Sequence, residues 1–328
     1  MTASSHILLT GGTGFFGRAL LRTWLDAFAT GSPVPCVTVL TRSAAAFVGR
    51  YPEFADLPWL RFQAGDICDR DSLTADGSFS HILHAAADST LGPQRAPLER
   101  FNQIVDGTRN LLDLAVACGA RRFLLTSSGG VYGPQPMDVE RIPEGYNGMP
   151  DPLTPGNAYS VAKRAAEHLC ALYQDAHGVE IVVARCFAFV GRDLPLDVHF
   201  AIGNFMRDAI HGDAVRVSGE GTALRTYLDQ EDLAHWLMTL LEQGRPGEAY
   251  NVGSDQVVSI AELAHLVRDL LAPGKSVEIL GQPDQAQGRS RYVPDIRKAR
   301  EELGLTVRIP LAAAIRRAGA AHRIGAPT

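Results

Sequence analysis

Two rhythms of apolar residues alternate along the first 185 positions. Short, nearly continuous apolar runs occur at His6 to Thr10, Cys36 to Thr41, Leu60 to Gln63, His81 to Ala85, Arg122 to Ser127 and Glu180 to Arg185, and their length and density predict strands. Between most of them lie segments with helical periodicity, Phe15 to Phe28, Leu98 to Cys118 and Ala158 to His177. Strand, helix, strand repetition joins parallel strands by right-handed crossovers. The pattern therefore predicts an α/β fold with a doubly wound parallel sheet and ligands at the carboxyl ends of its strands.

After Arg185 the rhythm changes. Proline and glycine gather around Gly191 to Pro195, short strands are predicted at Val215 to Ser218 and Ala249 to Val252, and helices at Gln230 to Glu242 and Ile260 to Leu271. This predicts a smaller α+β lobe. The expected division is a dinucleotide-binding domain over 1–185 and a mainly substrate-binding lobe over 186–328, with crossings back to the sheet. Beyond Pro310 the chain reads as an alanine-rich basic helix with a frayed tail.

Composition narrows the class. The 328 residues are 46% hydrophobic, enough to fill a core, and the net charge of −5 comes with basic residues spread throughout. No nucleic-acid footprint is expected. Five cysteines, odd in number and lacking C-x-x-C spacing, read as reduced core thiols of a cytoplasmic protein, with no metal site. Neither a signal peptide nor a membrane span is expected.

The first strand runs into TGGTGFFG, with Gly11, Gly14 and Gly17 spaced three apart, Phe15 and Phe16 between the last two, and a helix behind. Such a turn lets backbone N–H groups and a helix N-terminus approach a pyrophosphate that a Cβ would block. An ordinary strand-to-helix turn is the alternative. The second strand ends in VTVLTRS, where an acidic residue would hold the ribose of NAD; Arg42 and Ser43 stand there instead and suit the 2′-phosphate of NADP, with NAD the second choice. Arg42 as a solvated surface residue is the competing reading. Asp66 and Ile67, in GDICD, are placed to meet the adenine or to cap a turn. Ala85, Ala86 and Ala87 supply small residues beside which a flat cofactor can lie.

Tyr159 and Lys163, in NAYSVAKRAAEHL, share a helix face at a spacing of four. An ammonium near a phenol favours the phenolate, which can take a proton from an alcohol while hydride leaves for a nicotinamide. Ser128, in TSSGGVYG, supplies a hydroxyl for the reacting oxygen.

Ser128, Tyr159 and Lys163 together resemble the catalytic triad of the short-chain dehydrogenase/reductase superfamily. More closely, the chain resembles the extended branch, the NAD(P)-dependent nucleotide-sugar epimerase/dehydratase family, because TGGTGFFG, GDICD, HAAA, FNQIVDGTRNLLDLA, TSSGGVYG, YSVAK, ARCFAFVG, RTYLDQEDLA, YNVGS and DIRKAREELG follow one another in family order. The resemblance implies a Rossmann-type fold, a nucleotide-sugar substrate and a homodimer built on the helices Leu98 to Cys118 and Ala158 to His177. It implies that Lys163 holds the nicotinamide ribose, that Asn102 braces the sheet, and that Arg225, with Arg289 or Arg291, contacts the diphosphate. Where the family carries a phosphate-binding asparagine this chain has Ala188. Either Asn204 or the backbone near Phe200 replaces it, or the substrate is not a typical sugar nucleotide.

Dehydratases of the family carry Asp-Glu where Gly129 and Gly130 stand here, with Gly129 next to the substrate. From that difference the expected activity is a nucleotide-sugar epimerase working by hydride transfer at C4, and not a 4,6-dehydratase. An NADP-dependent ketoreductase of a 4-keto-6-deoxy sugar or another carbonyl compound is the alternative within enzymes, and a non-catalytic dinucleotide sensor the alternative outside them.

Overall fold

The computed structural model describes residues 5–74, 79–87, 94–281 and 290–324. The chain forms two compact units, the first made of Met1–Gly133, Met149–Cys186 and Ala234–Tyr250, the second of Pro134–Gly148, Phe187–Leu233 and Asn251–Thr328.

In the first unit β1 (His6–Thr10), β2 (Cys36–Thr41), β3 (Leu60–Ala64), β4 (His81–His84), β5 (Arg122–Ser128) and β6 (Glu180–Cys186) pair in parallel. With β11 (Glu248–Val252) they form a seven-stranded sheet of order β11-β6-β5-β4-β1-β2-β3. Its helices are α1 (Phe15–Ala29), α2 (Ala44–Arg50), α3 (Pro97–Ala117) and α4 (Ala158–His177). The doubly wound Rossmann-type sheet expected from the apolar runs is thus observed. Ile7, Leu8, Leu9, Phe123, Leu124 and Leu125 are wholly buried, and each such side chain contributes about 1.5–3 kcal/mol over an exposed one.

Strand order reverses between β1, which pairs with β2 on one side, and β4 on the other. At such a switch point the connections leave in opposite directions and open a crevice at the carboxyl edge. Thr10 and His84 end the two strands there, in register.

The second unit carries a three-stranded sheet of β12 (Val257–Ser259), β9 (Leu224–Thr226) and β14 (Arg291–Tyr292), and the pairs β13 (Ser276–Ile279) with β8 (Ala214–Val217) and β10 (Leu228–Asp229) with β7 (Phe189–Val190). Helices α5 (Ala201–His211), α7 (Ile260–Leu271) and α9 (Leu311–Ile324) pack together, with α6 (Gln230–Gln243) and α8 (Arg297–Leu303) between them in the chain, giving the expected α+β character. Ser259 and Glu262 begin α7 with a reciprocal capping box. No helix among the described residues is long and apolar enough to cross a membrane.

Candidate active site

The turn after β1 is held to its shape by backbone contacts. Gly11 has φ +70°, in the left-handed region, and a Cβ there would overlap the Ala85 carbonyl. A Cβ on Gly17 would overlap the Gly12 backbone, so glycine lets α1 approach the turn. Gly14 is the N-cap of α1 and offers no capping side chain; the N–H groups of the first turn therefore have no side-chain oxygen from the N-cap. This glycine cradle at a helix N-terminus, on the switch point of the sheet, fits a dinucleotide pyrophosphate. Phe15 and Phe16 open the helix with their rings 6.0 Å apart.

Around this turn the other expected cofactor residues take definite places. Arg42 is exposed beyond β2, and the Ser43 hydroxyl accepts the Ala46 N–H (3.3 Å) as the N-cap of α2. Asp66 Oδ1 accepts the Cys68 N–H (2.9 Å), making a local turn, and Ile67 is buried. Ala85, Ala86 and Ala87 are half-buried, with the Ala85 and Ala86 backbone against Gly11.

A buried relay missed by the motif reading braces this edge. The Ala86 N–H donates to Thr10 Oγ1 (3.3 Å), which lies 2.8 Å from His84 Nδ1, while His84 Nε2 lies 3.3 Å from Thr108 Oγ1. Thr108 Oγ1 donates its proton to the Ile104 carbonyl (2.7 Å). Since each hydroxyl has one proton, the relay is satisfied when Nε2 carries the imidazole proton and Nδ1 accepts from Thr10. Burial, with the Lys163 charge second, pushes His84 down to about 3, so the ring is neutral. Asn102, expected to brace the sheet, is exposed; Asn110, two helical turns on, donates to the Ile67 carbonyl (2.9 Å) instead.

Ser128, Tyr159 and Lys163 converge in the first unit. Ser128 ends β5, and its Oγ accepts the Gly130 N–H (3.0 Å) and hydrogen-bonds the Tyr159 side chain. Gly129 begins the 3-10 turn that follows. Lys163 is 2% exposed and its Nζ donates to the Thr126 carbonyl (2.8 Å); Thr126 Oγ1 in turn donates to the His84 carbonyl (3.0 Å). Burial is the largest influence on both Tyr159 and Lys163. It raises the Tyr159 phenol, against lowering by Ser128 and the Arg100 charge, and brings Lys163 down to about 8. One further charge approaches the phenol: the Arg100 guanidinium of α3 lies 4.4 Å from the Tyr159 ring centroid.

Beneath this group, Arg185 makes a bidentate pair with Glu167, with Nη2 2.7 Å from Oε2, and donates through Nη1 to the Tyr132 hydroxyl (3.0 Å). Ser127 Oγ donates to the same Glu167 (2.5 Å). The network ties β5, the turn after it, α4 and β6 together with charge-assisted bonds.

In the second unit, Arg225 Nη1 donates to the Leu224 carbonyl (2.8 Å), and burial lowers its pKa. Arg291 pairs in register with Leu224, and Arg225 with Tyr292. Residues in register share a sheet face, so Arg225 and Arg291 project from opposite faces. Arg289 lies outside the described residues. Ala188 accepts the Leu228 N–H (3.0 Å), and Asn204 lies in the first turn of α5.

Residues 7–253 match the model of the NAD dependent epimerase/dehydratase family. The chain is 32% identical over 320 residues to a dTDP-glucose 4,6-dehydratase of Streptomyces niveus, covering 94% of this chain and 89% of that protein. It is 35% identical over 311 residues to UDP-glucuronic acid decarboxylase 5 of Arabidopsis thaliana, covering 94% and 86%. Among solved structures, a dTDP-glucose 4,6-dehydratase of Streptomyces venezuelae with NAD bound superposes with a TM-score of 0.82 at 25% identity, covering 98% of this chain and 97% of that one. These relatives overturn the epimerase expectation and its ketoreductase and sensor alternatives. That expectation rested on the side chains absent at Gly129 and Gly130. Two positions in one turn report which acids that turn lacks; the reaction that follows oxidation depends on every group that faces the sugar.

Proposed function

The chain belongs to the NAD-dependent epimerase/dehydratase family, and from that premise we propose that it oxidises C4 of a nucleotide sugar and then releases a C6 carboxylate as CO2. The convergence of Ser128, Tyr159 and Lys163 in the first unit carries this reading. Tyr159 takes the proton of the C4 hydroxyl, Ser128 orients that oxygen, and Lys163 holds positive charge beside them. A bound nicotinamide supplies the hydride acceptor. The new ketone lies β to a C6 carboxylate, so CO2 departs as its bonding electrons move into the carbonyl, with no acid needed at a leaving group; the resulting enolate takes a proton at C5, and return of the hydride to C4 would give the pentose nucleotide without net oxidation. Loss of water between C5 and C6 asks instead for a base at C5 and an acid at the departing hydroxyl. Gly129 and Gly130 bring no side chain for either task, which favours decarboxylation. Dehydration is the second reading, favoured by the likeness to the two Streptomyces dehydratases.

Incubation with UDP-glucuronic acid labelled at C6, and in parallel with dTDP-glucose, tests the pair. Labelled CO2 and a pentose nucleotide are expected from the first. Conversion of dTDP-glucose to a 4-keto-6-deoxy product with the uronate untouched would reverse the order of the two readings.

The family is NAD-dependent, and Arg42, with no acidic residue at the end of β2, supports a preference for NADP. Thermal shift titration should show tighter binding of NADP than NAD, with the difference removed by Arg42→Ala; tighter NAD binding by the unmodified chain would refute the preference. Arg225 is the diphosphate contact in this scheme, through a guanidinium suited to phosphate geometry. A homodimer through α3 and α4 belongs to the same reading, supported by the exposed Leu98, Val116 and Leu172 on those helices, and sedimentation would test it. The described cysteines are all free, which supports a reducing, cytoplasmic setting.

A further inference from the structure

Arg100 occupies a position that helix electrostatics does not favour. It lies in the first turn of α3, where the partial positive charge of the helix N-terminus opposes a cation. Spacings of four, seven and four residues put it on the stripe of Ile104, Leu111 and Ala115, which are buried. Its guanidinium carbon stands 4.4 Å from the Tyr159 ring centroid, within the reach of a cation–π contact.

We propose that Arg100 is a positioning residue that holds the Tyr159 ring beneath its guanidinium and favours the phenolate over the phenol, a role that rests on Tyr159 being the acid/base of the proposed reaction. The charge distribution around the ring supports this. Tyr159 is faced by Ser128 from β5, Cys186 from β6 and Arg100 from α3. Lys163, one turn along the same helix, directs its ammonium to the Thr126 carbonyl, and is faced by Cys186, Glu167, Cys170, Arg100 and the neutral His84. Burial raises the thiols of Cys186 and Cys170, so both stay protonated near neutral pH. Arg100 therefore contributes a permanent charge over the ring itself, and its attraction for that ring grows when the phenol loses its proton. The same charge acts on Lys163 in the direction of proton loss. Arg100 thus offsets part of the burial that otherwise keeps Tyr159 protonated.

The test follows Tyr159 directly, by ring-carbon NMR of tyrosine-labelled full-length protein saturated with NAD, with Tyr159→Phe identifying the resonance. Arg100→Met should raise the Tyr159 pKa by about one pH unit, and Arg100→Lys should restore most of the shift. The acidic limb of kcat/KM should move upward with it. An unmoved resonance in Arg100→Met, or in Arg100→Gln should the methionine variant not fold, overturns the proposal even where turnover falls, since a purely structural role costs rate without moving the titration. Failure of the functional reading looks different: Tyr159→Phe would then keep full turnover while the Arg100 variants still shift the phenol.

Discussion

Two glycine-rich turns leave the carboxyl edge of the same sheet, one at Gly11 to Gly17 after β1 and one at Gly129 to Gly133 after β5, and their glycines answer to different neighbours. In the first turn a Cβ on Gly11 or Gly17 would strike backbone, which cannot rotate away. In the second, Gly133 is held the same way, with φ +70° and a Cβ position that overlaps the Met149 carbonyl, but a Cβ on Gly130 would lie 2.6 Å from Ser160 Oγ and 3.3 Å from Ser128 Oγ, both ends of short, rotatable side chains. Glycine is thus an architectural necessity in the first turn. At Gly130 it spares only side chains, since even a methyl group there needs Ser160 to turn aside, next to Ser128.

The contrast can be broken at several points. The largest effect is expected from Tyr159→Phe, beside the second turn: turnover should fall by about 10²–10⁴-fold while the thermal midpoint stays close to the parent. Unchanged turnover would remove the chemistry from this region altogether. Gly11→Ala should lower unfolding stability by about 2–3 kcal/mol in urea titrations, from positive φ and backbone overlap together. A loss below about 1 kcal/mol would mean that the first turn adapts as readily as the second.

Acid should weaken the first turn's surroundings through His84. Its folded pKa of about 3 lies below the ordinary value of 6.5, so between those values the unfolded chain binds a proton that the folded chain does not. Stability from this group is full above pH 6.5 and is lost as pH falls, by about 1.4 kcal/mol per pH unit within that window. Denaturation series across the window should show a shallower slope in His84→Gln; an equal slope would remove His84 as the source. The smallest effect belongs to Gly130→Ala, expected to change stability by less than about 1 kcal/mol because Ser160 can turn aside. A loss as large as that of Gly11→Ala would erase the distinction between the turns.

Legibility in the sequence followed the same division. The six parallel strands of the first unit were readable to within a residue at their ends; five lie inside the sheet and are buried at most positions, as a covered parallel strand must be, and the edge strand β3 showed itself by its short Leu60 to Gln63 run. Helix α5 was missed although Ile202, Phe205, Met206 and Ala209 form a buried stripe at helical spacing; that signal was available. Asn102, expected to brace the sheet, is exposed, and Asn110 ties α3 to the loop after β3 through the Ile67 carbonyl. The two residues lie about 12 Å apart along one helix, so where that helix sits against the loop after β3 decides which amide reaches the Ile67 carbonyl. Arg225 and Arg291 were named together only through the family resemblance; the structure puts them on neighbouring strands, and register sends them to opposite faces.

Contiguous spacing and local backbone demands wrote the alternation of strands and helices in the first unit, the turn where a dinucleotide fits and the residue types Ser128, Tyr159 and Lys163 into the sequence. Tertiary structure decided which distant groups meet: His84 between Thr10 and Thr108, and Arg100 over Tyr159. It also decided the burial that raises the phenol and lowers Lys163. Charge and solvation act through space, and the separations they depend on exist only once α3, α4 and the sheet have packed.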